Sequence, residues 1–187
     1  MDLSLENRDG LPEALRVLLA DFPREAWEQD PNFRGLVEFW LSKHMEFRRL
    51  LTAMNGETES LLDGGSAQTF AGRISRYGSM FVNNLHGHHQ IEDMHYFPRL
   101  SQMDERLEYG FELLDGDHKS LDGLLAGFVD SANNTLQKLD DPIALRDAAG
   151  TFHTDLGRLD RLIQRHLDDE EDLIVPIILK FGEGSLA

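Results

Sequence analysis

The stretch "HGHHQIEDMHYFP", residues 86–98, holds four of the chain's eight histidines, with Glu92 and Asp93 set among them. A plain core would not tolerate imidazole at this density beside carboxylate, and a solvated face would not need it. A second stretch supplies the context. "HLDDEEDLIVPII", from His166, matches "HHQIEDMHYFPRL", from His88. In both, Glu follows His by four residues (Glu92, Glu170) and Pro by ten (Pro98, Pro176). A shorter match accompanies it: "HMEFRRLL" from His44 and "HKSLDGLL" from His118. The order His, then His-x-x-x-Glu, therefore occurs twice along the chain.

Periodicity places these residues on helices. Leu, Glu, Arg and Asp are abundant, Pro and β-branched residues are scarce, and the long stretches repeat apolar residues at helical spacing. The pattern predicts an N-terminal helical segment, "LPEALRVLLADF" over 11–22, and then four long helices. The first spans roughly 32–54 and ends at "NGETES". The second runs over 66–100 and the third over 106–133. The fourth starts near "DDP", since Pro suits a first turn, and ends at the glycine stop "FGEG". Short loops make successive helices antiparallel neighbours. The predicted fold is all-α: an up-down-up-down antiparallel four-helix bundle over residues 32–182. Residues 1–31 form a helical extension and 183–187 a tail.

Residues four apart on a helix share a face. On the fourth helix His166 and Glu170 fall in phase with Leu156, Leu159, Ile163, Leu173, Ile174 and Ile177. His88 follows Phe81 and Leu85, His44 lies among Val37, Leu41, Phe47 and Leu51, and His118 among Phe111, Leu114, Leu121 and Leu125. Four histidines and two glutamates thus aim at the interior. A buried ionised carboxylate is costly unless paired or bound to metal, and imidazole with carboxylate suits iron, manganese or zinc. Six ligands exceed one tetrahedral zinc but fit two metals, with two His on each and both carboxylates bridging, about 3–4 Å apart as in other bridged pairs.

These residues carry a resemblance. The order H…H-x-x-x-E…H…H-x-x-x-E, with the "E-x-x-x-x-F-P" tail after Glu92, resembles the hemerythrin-like (HHE cation-binding) family over roughly 32–180. The resemblance implies a four-helix bundle with a non-haem di-iron centre bridged by oxo, hydroxo or water. Its function would concern O2, NO, redox signals or iron handling. The ligands it implies are His44, His88, Glu92, His118, His166 and Glu170. The family's oxygen carriers use five histidines, two of them one turn apart on the third helix. Here the position one turn after His118 is Asp122, which argues against simple oxygen carriage.

The remaining polar residues are assigned by phase. His95, seven residues after His88, shares its stripe and is expected as a hydrogen-bonding neighbour of the metals. Asp122 is a candidate to orient His118. His89 and His86 fall off the stripe, towards a helix flank, though His89 stays a candidate for the outer shell. Asp93 and Glu171 stand five residues after their histidines, on a flank expected to be solvated. Two other function classes compete. A ferritin-like di-metal oxidoreductase needs Glu-x-x-His on two helices, and only Glu92–His95 supplies one. A metal-free helical interaction module would leave six buried polar side chains to satisfy.

The composition removes further classes. With no cysteine among 187 residues, disulfides, thiolate nucleophiles and iron–sulfur clusters are excluded. The net charge of −16 leaves no basic stripe for nucleic acid. No apolar run reaches the length of a membrane span. The opening "MDLSLENRDG" lacks the basic-then-apolar pattern of a signal peptide, so the cytoplasm is the expected compartment. The expected partner is O2 or another small diatomic or redox ligand, on a monomer or homodimer, with metal binding rather than turnover.

Overall fold

In the computed structural model, which describes residues 2–186, the elements are helical and the described residues contain no strand. The principal helices are α1 (Leu36–Leu62), α2 (Ala67–Ile91), α3 (Phe97–Leu100), α4 (Glu108–Leu136) and α5 (Pro142–Phe181). A π-helical turn, Glu92–Tyr96, joins α2 to α3. Short 3-10 turns cover Glu13–Leu15, Arg24–Gln29, Glu105–Leu107 and Glu183–Leu186.

The helix ends follow local chemistry. α1 starts four residues later than the pattern predicted, because Gly35 just before it takes φ +97°, outside the helical region. It also runs past "NGETES". Asn55 stays helical, its amide donating to the Leu51 carbonyl and to Asp160 Oδ2, both at 3.1 Å. The stop comes at Gly64 (φ +95°), where Gly65 N donates back to Ser60 O at 2.8 Å, a glycine C-cap. Ser66 caps α2 by accepting from Thr69 N at 3.3 Å. Asp141 caps α5 by accepting from Ile143 N and Ala144 N at 3.0 and 3.1 Å. Pro176 does not end α5, which continues to Phe181.

The helix expected over 11–22 does not form. Its backbone makes a 3-10 turn at Glu13–Leu15 and then turns through Phe22. Twelve residues make a marginal helix on their own, so burial of the leucines decides the path. Leu11, Leu15 and Leu18 are all buried, in one cluster with Trp27 and Trp40.

The chain divides into two compact units. The first comprises 2–45, 88–120 and 164–186, and the six candidate ligands His44, His88, Glu92, His118, His166 and Glu170 lie in it. Its apolar cluster joins the N-terminal leucines to Val37, Phe97, Phe111 and the α5 run Leu173–Leu179. Close packing there is illustrated by Gly110, where a Cβ would lie 2.8 Å from the Leu173 methyls. The second unit comprises 46–87 and 121–163. Its core is a chain of rings, Phe47–Phe81–Phe128–Phe152–Phe70, with successive centroids 5.6–6.3 Å apart, inside the favourable range for edge-on aromatic pairs.

Candidate metal centre

Two groups of side chains converge in the first unit. His44, His88, Glu92 and Glu170 form one, and His89, His118 and His166 form the other, the potential ligand atoms within each lying within 4.8 Å of one another. α1 supplies His44, α2 supplies His88 and His89, the π-turn Glu92, α4 His118, and α5 both His166 and Glu170. The six residues selected by the repeat all belong to these groups.

The two carboxylates face both groups. Glu92 Oε1 is 2.7 Å from His88 Nε2, while its Oε2 is 3.7 Å from His118 Nε2. Glu170 Oε1 is 3.6 Å from His44 Nε2, and its Oε2 is 3.4 Å from His166 Nε2. Each glutamate therefore turns one oxygen to a histidine of each group, as a bridging carboxylate must.

The donor atoms fit metal ions. His118 Nε2, His166 Nε2, Glu170 Oε2 and both ring nitrogens of His89 are buried without a hydrogen-bond partner. Native interiors rarely leave such atoms unsatisfied. Their number, their convergence and their nitrogen–oxygen chemistry match iron, manganese or zinc. The outer ring nitrogens are held instead by carboxylates. His44 Nδ1 lies 2.9 Å from Glu171 Oε1, His118 Nδ1 2.8 Å from Asp93 Oδ1, and His166 Nδ1 3.3 Å from Asp117 Oδ2. A carboxylate on Nδ1 fixes the tautomer that leaves the Nε2 lone pair for a metal. Trp40 adds a hydrogen bond from its indole N–H to Glu170 Oε1 at 2.6 Å.

Electrostatics separate the two glutamates. Burial, reinforced by the charge of Glu170, raises the pKa of Glu92 well above the ordinary range. Burial alone would raise Glu170 too, but His44, with His88 and His166, outweighs it and holds Glu170 well below that range. The two carboxyls are thus shifted in opposite directions, the pattern of two acids sharing a site. Burial likewise opposes charge on His44, yet Glu170 and Glu171 prevail and lift its pKa. Burial lowers His88 to about 3. It lowers His89 and His118 as well, helped by neighbouring imidazoles. Neutral imidazole is the form that binds metal.

Four expectations need correction. His95 is exposed. The π-turn inserts one extra residue after Glu92, which advances the phase by about 100°; Phe97 is buried there and His95 is turned out. Asp122 does not orient His118: its side chain is exposed, 3.8 Å from His86, and Asp93 takes that role. His89 is not on a flank. It is buried, with its ring stacked on His118 at a centroid distance of 3.9 Å. His89 stands three residues before Glu92, and that spacing also shares a helix face, so the signal was present in the sequence. Glu171 also departs from the solvated flank expected for it, being buried against His44. Trp40 could have been found by its place one turn before His44. Asp117, directly adjacent to His118 in sequence, carried no such signal.

Paired histidine groups sharing two buried carboxylates define a helical metal-binding protein. The chain belongs to the hemerythrin HHE cation-binding domain family, whose model matches residues 35–178. No curated protein and no solved structure matches it. Among the described residues, no helix is long and apolar enough to cross a membrane.

Proposed function

We propose that this chain binds two iron ions and serves as an O2-, NO- or redox-responsive protein or an iron handler. His44 and His88 would hold one ion and His89, His118 and His166 the other, with Glu92 and Glu170 bridging and a solvent-derived oxygen completing the pair. The observation that carries this reading is the orientation of the glutamates, each with one oxygen towards either histidine group. Iron in such a donor set would supply one-electron chemistry and reactivity towards diatomic ligands. The protein's own residues would orient the imidazoles through Glu171, Asp93 and Asp117 and keep the carboxylates away from water.

The ferritin-like alternative loses its remaining support with His95 exposed. The argument against oxygen carriage rested on four histidines, and with His89 the donor set holds five imidazoles. Carriage is therefore separated from sensing by experiment rather than by ligand count.

Elemental analysis of protein produced with iron, together with its visible spectrum, tests the reading. Two irons per chain are expected, and Glu92→Ala or His166→Ala should lose at least one. A single ion in the wild type, or full occupancy in both variants, contradicts it. Mixing the reduced protein with O2 and then removing the gas distinguishes the roles. Return of the reduced spectrum marks a carrier, and lasting oxidation marks a sensor or redox protein.

A further inference from the structure

The segment before α1 lies outside the residues matched by the family model, yet it sends two arginines to the metal centre. Arg8 is buried, with 2% of its side chain exposed. Its Nε donates to Asp169 Oδ2 at 2.7 Å and its Nη1 to Asp117 Oδ1 at 2.8 Å, while Nη2 donates to Asp117 Oδ2. The same Asp117 oxygen faces His166 Nδ1. Arg24 repeats the arrangement elsewhere. Its Nη1 donates to Glu171 Oε2 at 2.8 Å, its Nε to Asp172 Oδ1 at 2.6 Å, and its Nη2 to the Asp168 carbonyl at 2.9 Å. The other Glu171 oxygen faces His44 Nδ1.

The geometry points to the N-terminal segment as the outer wall of the metal centre, with Arg8 and Arg24 as positioning residues. Each fixes, through one carboxylate, one ligand histidine of a different group. This rests on the two-ion reading above. The chemistry explains why arginine stands at both places. Asp117 and Glu171 must each hold an imidazole by one oxygen while buried in an acidic neighbourhood. An unpaired carboxylate there would be strongly disfavoured. A guanidinium forks to two acceptors in a fixed plane, so it neutralises the carboxylate and sets its rotation together. The ring orientation follows, and with it the direction of the Nε2 lone pair. The segment is anchored for this purpose: Leu11 N donates to Asp169 Oδ1 at 2.9 Å, and Leu11, Leu15, Leu18 and Trp27 are buried.

Cobalt(II) titration of the full-length protein against a competing chelator tests the assignment, read by the visible spectrum. Wild type, Arg8→Gln, Arg8→Lys, Arg24→Gln and Arg24→Lys are compared, with melting of each metal-free protein as the control. Wild type should take two ions. Each Gln variant should weaken one binding phase about 10- to 100-fold, as loss of a partner behind a ligand does. The two variants should affect different phases. Lysine keeps the charge but not the fork, so it should recover only part of the loss. A purely structural role would lower the metal-free melting temperature and leave cobalt affinity and spectrum unchanged. If Arg8→Gln does not fold, Arg24→Gln decides, since that side chain is 41% exposed. Folded variants with wild-type affinity for both ions overturn the inference alone. Both variants acting on the same phase overturn the pairing of one arginine to one group. A wild type that binds fewer than two ions overturns the two-ion reading and the wall with it.

Discussion

Stripping the metals should lower thermal stability substantially. The perturbation is exhaustive chelation, with the protein then returned to buffer with or without ferrous iron under anaerobic conditions. The metal-free site keeps His118 Nε2, His166 Nε2, Glu170 Oε2 and both His89 nitrogens buried without partners. Each such group costs about 1–3 kcal/mol relative to its satisfied state. Part of this is relieved without metal, because burial favours the uncharged form of Glu92 and His44 stabilises the charge of Glu170. The gain on binding is bounded by linkage. Free metal at a thousand times Kd stabilises by about 4 kcal/mol per site. For a domain of this size each kcal/mol moves Tm by about 2–4 °C. One ion should therefore raise Tm by about 8–16 °C and two by about 16–32 °C. Calorimetry or circular dichroism of both forms at matched pH and ionic strength reads the shift. Melting curves that agree within about 2 °C, at metal concentrations that saturate the visible spectrum, would refute the reasoning that metal binding is what satisfies these buried atoms.

Three further outcomes follow from named contacts. Trp40→Phe removes the indole donor to the ionised Glu170, a charge-assisted bond contributing about 1.5–3 kcal/mol; urea unfolding of the metal-free protein should show at least that loss, and an unchanged midpoint would contradict it. His88 should make metal-free stability depend on pH: its folded pKa of about 3 lies below the free value, so below pH 6.5 the unfolded chain binds the extra proton and stability falls as pH falls. At pH 5 this amounts to ~2 kcal/mol, and the stability of wild type relative to His88→Gln should decline by that amount between pH 7 and pH 5; a pH-independent difference would count against it. Gly182 ends α5 at φ +75° with its N–H on Ile178 O at 2.8 Å, so Gly182→Ala should cost about 1 kcal/mol from left-handed backbone strain, and a melting curve at or above the wild-type value would argue against that cap.

The sequence by itself determined the helices and the repeat. Period 3.6 is a local property, so the apolar stripes around His44, His118 and His166 were legible, as were the paired spacings His88–Glu92 and His166–Glu170. The family resemblance followed from the same residues. What it could not settle were matters set by packing. A single extra residue in the π-turn at Glu92–Tyr96 turned His95 to solvent, and no stripe shows where a helix will locally unwind. His89 lay one residue from the predicted face, and only the position of the neighbouring helices decides how wide an inward sector is. The segment over 11–22 has helical spacing, yet burial of Leu11, Leu15 and Leu18 is met by turns instead. Arg8 and Arg24 reach Asp117 and Glu171, and these reach the ligand histidines, across 49–147 residues of chain. Such pairs share no period and no motif. They exist only because tertiary packing brings one buried cation, one carboxylate and one imidazole within hydrogen-bonding reach.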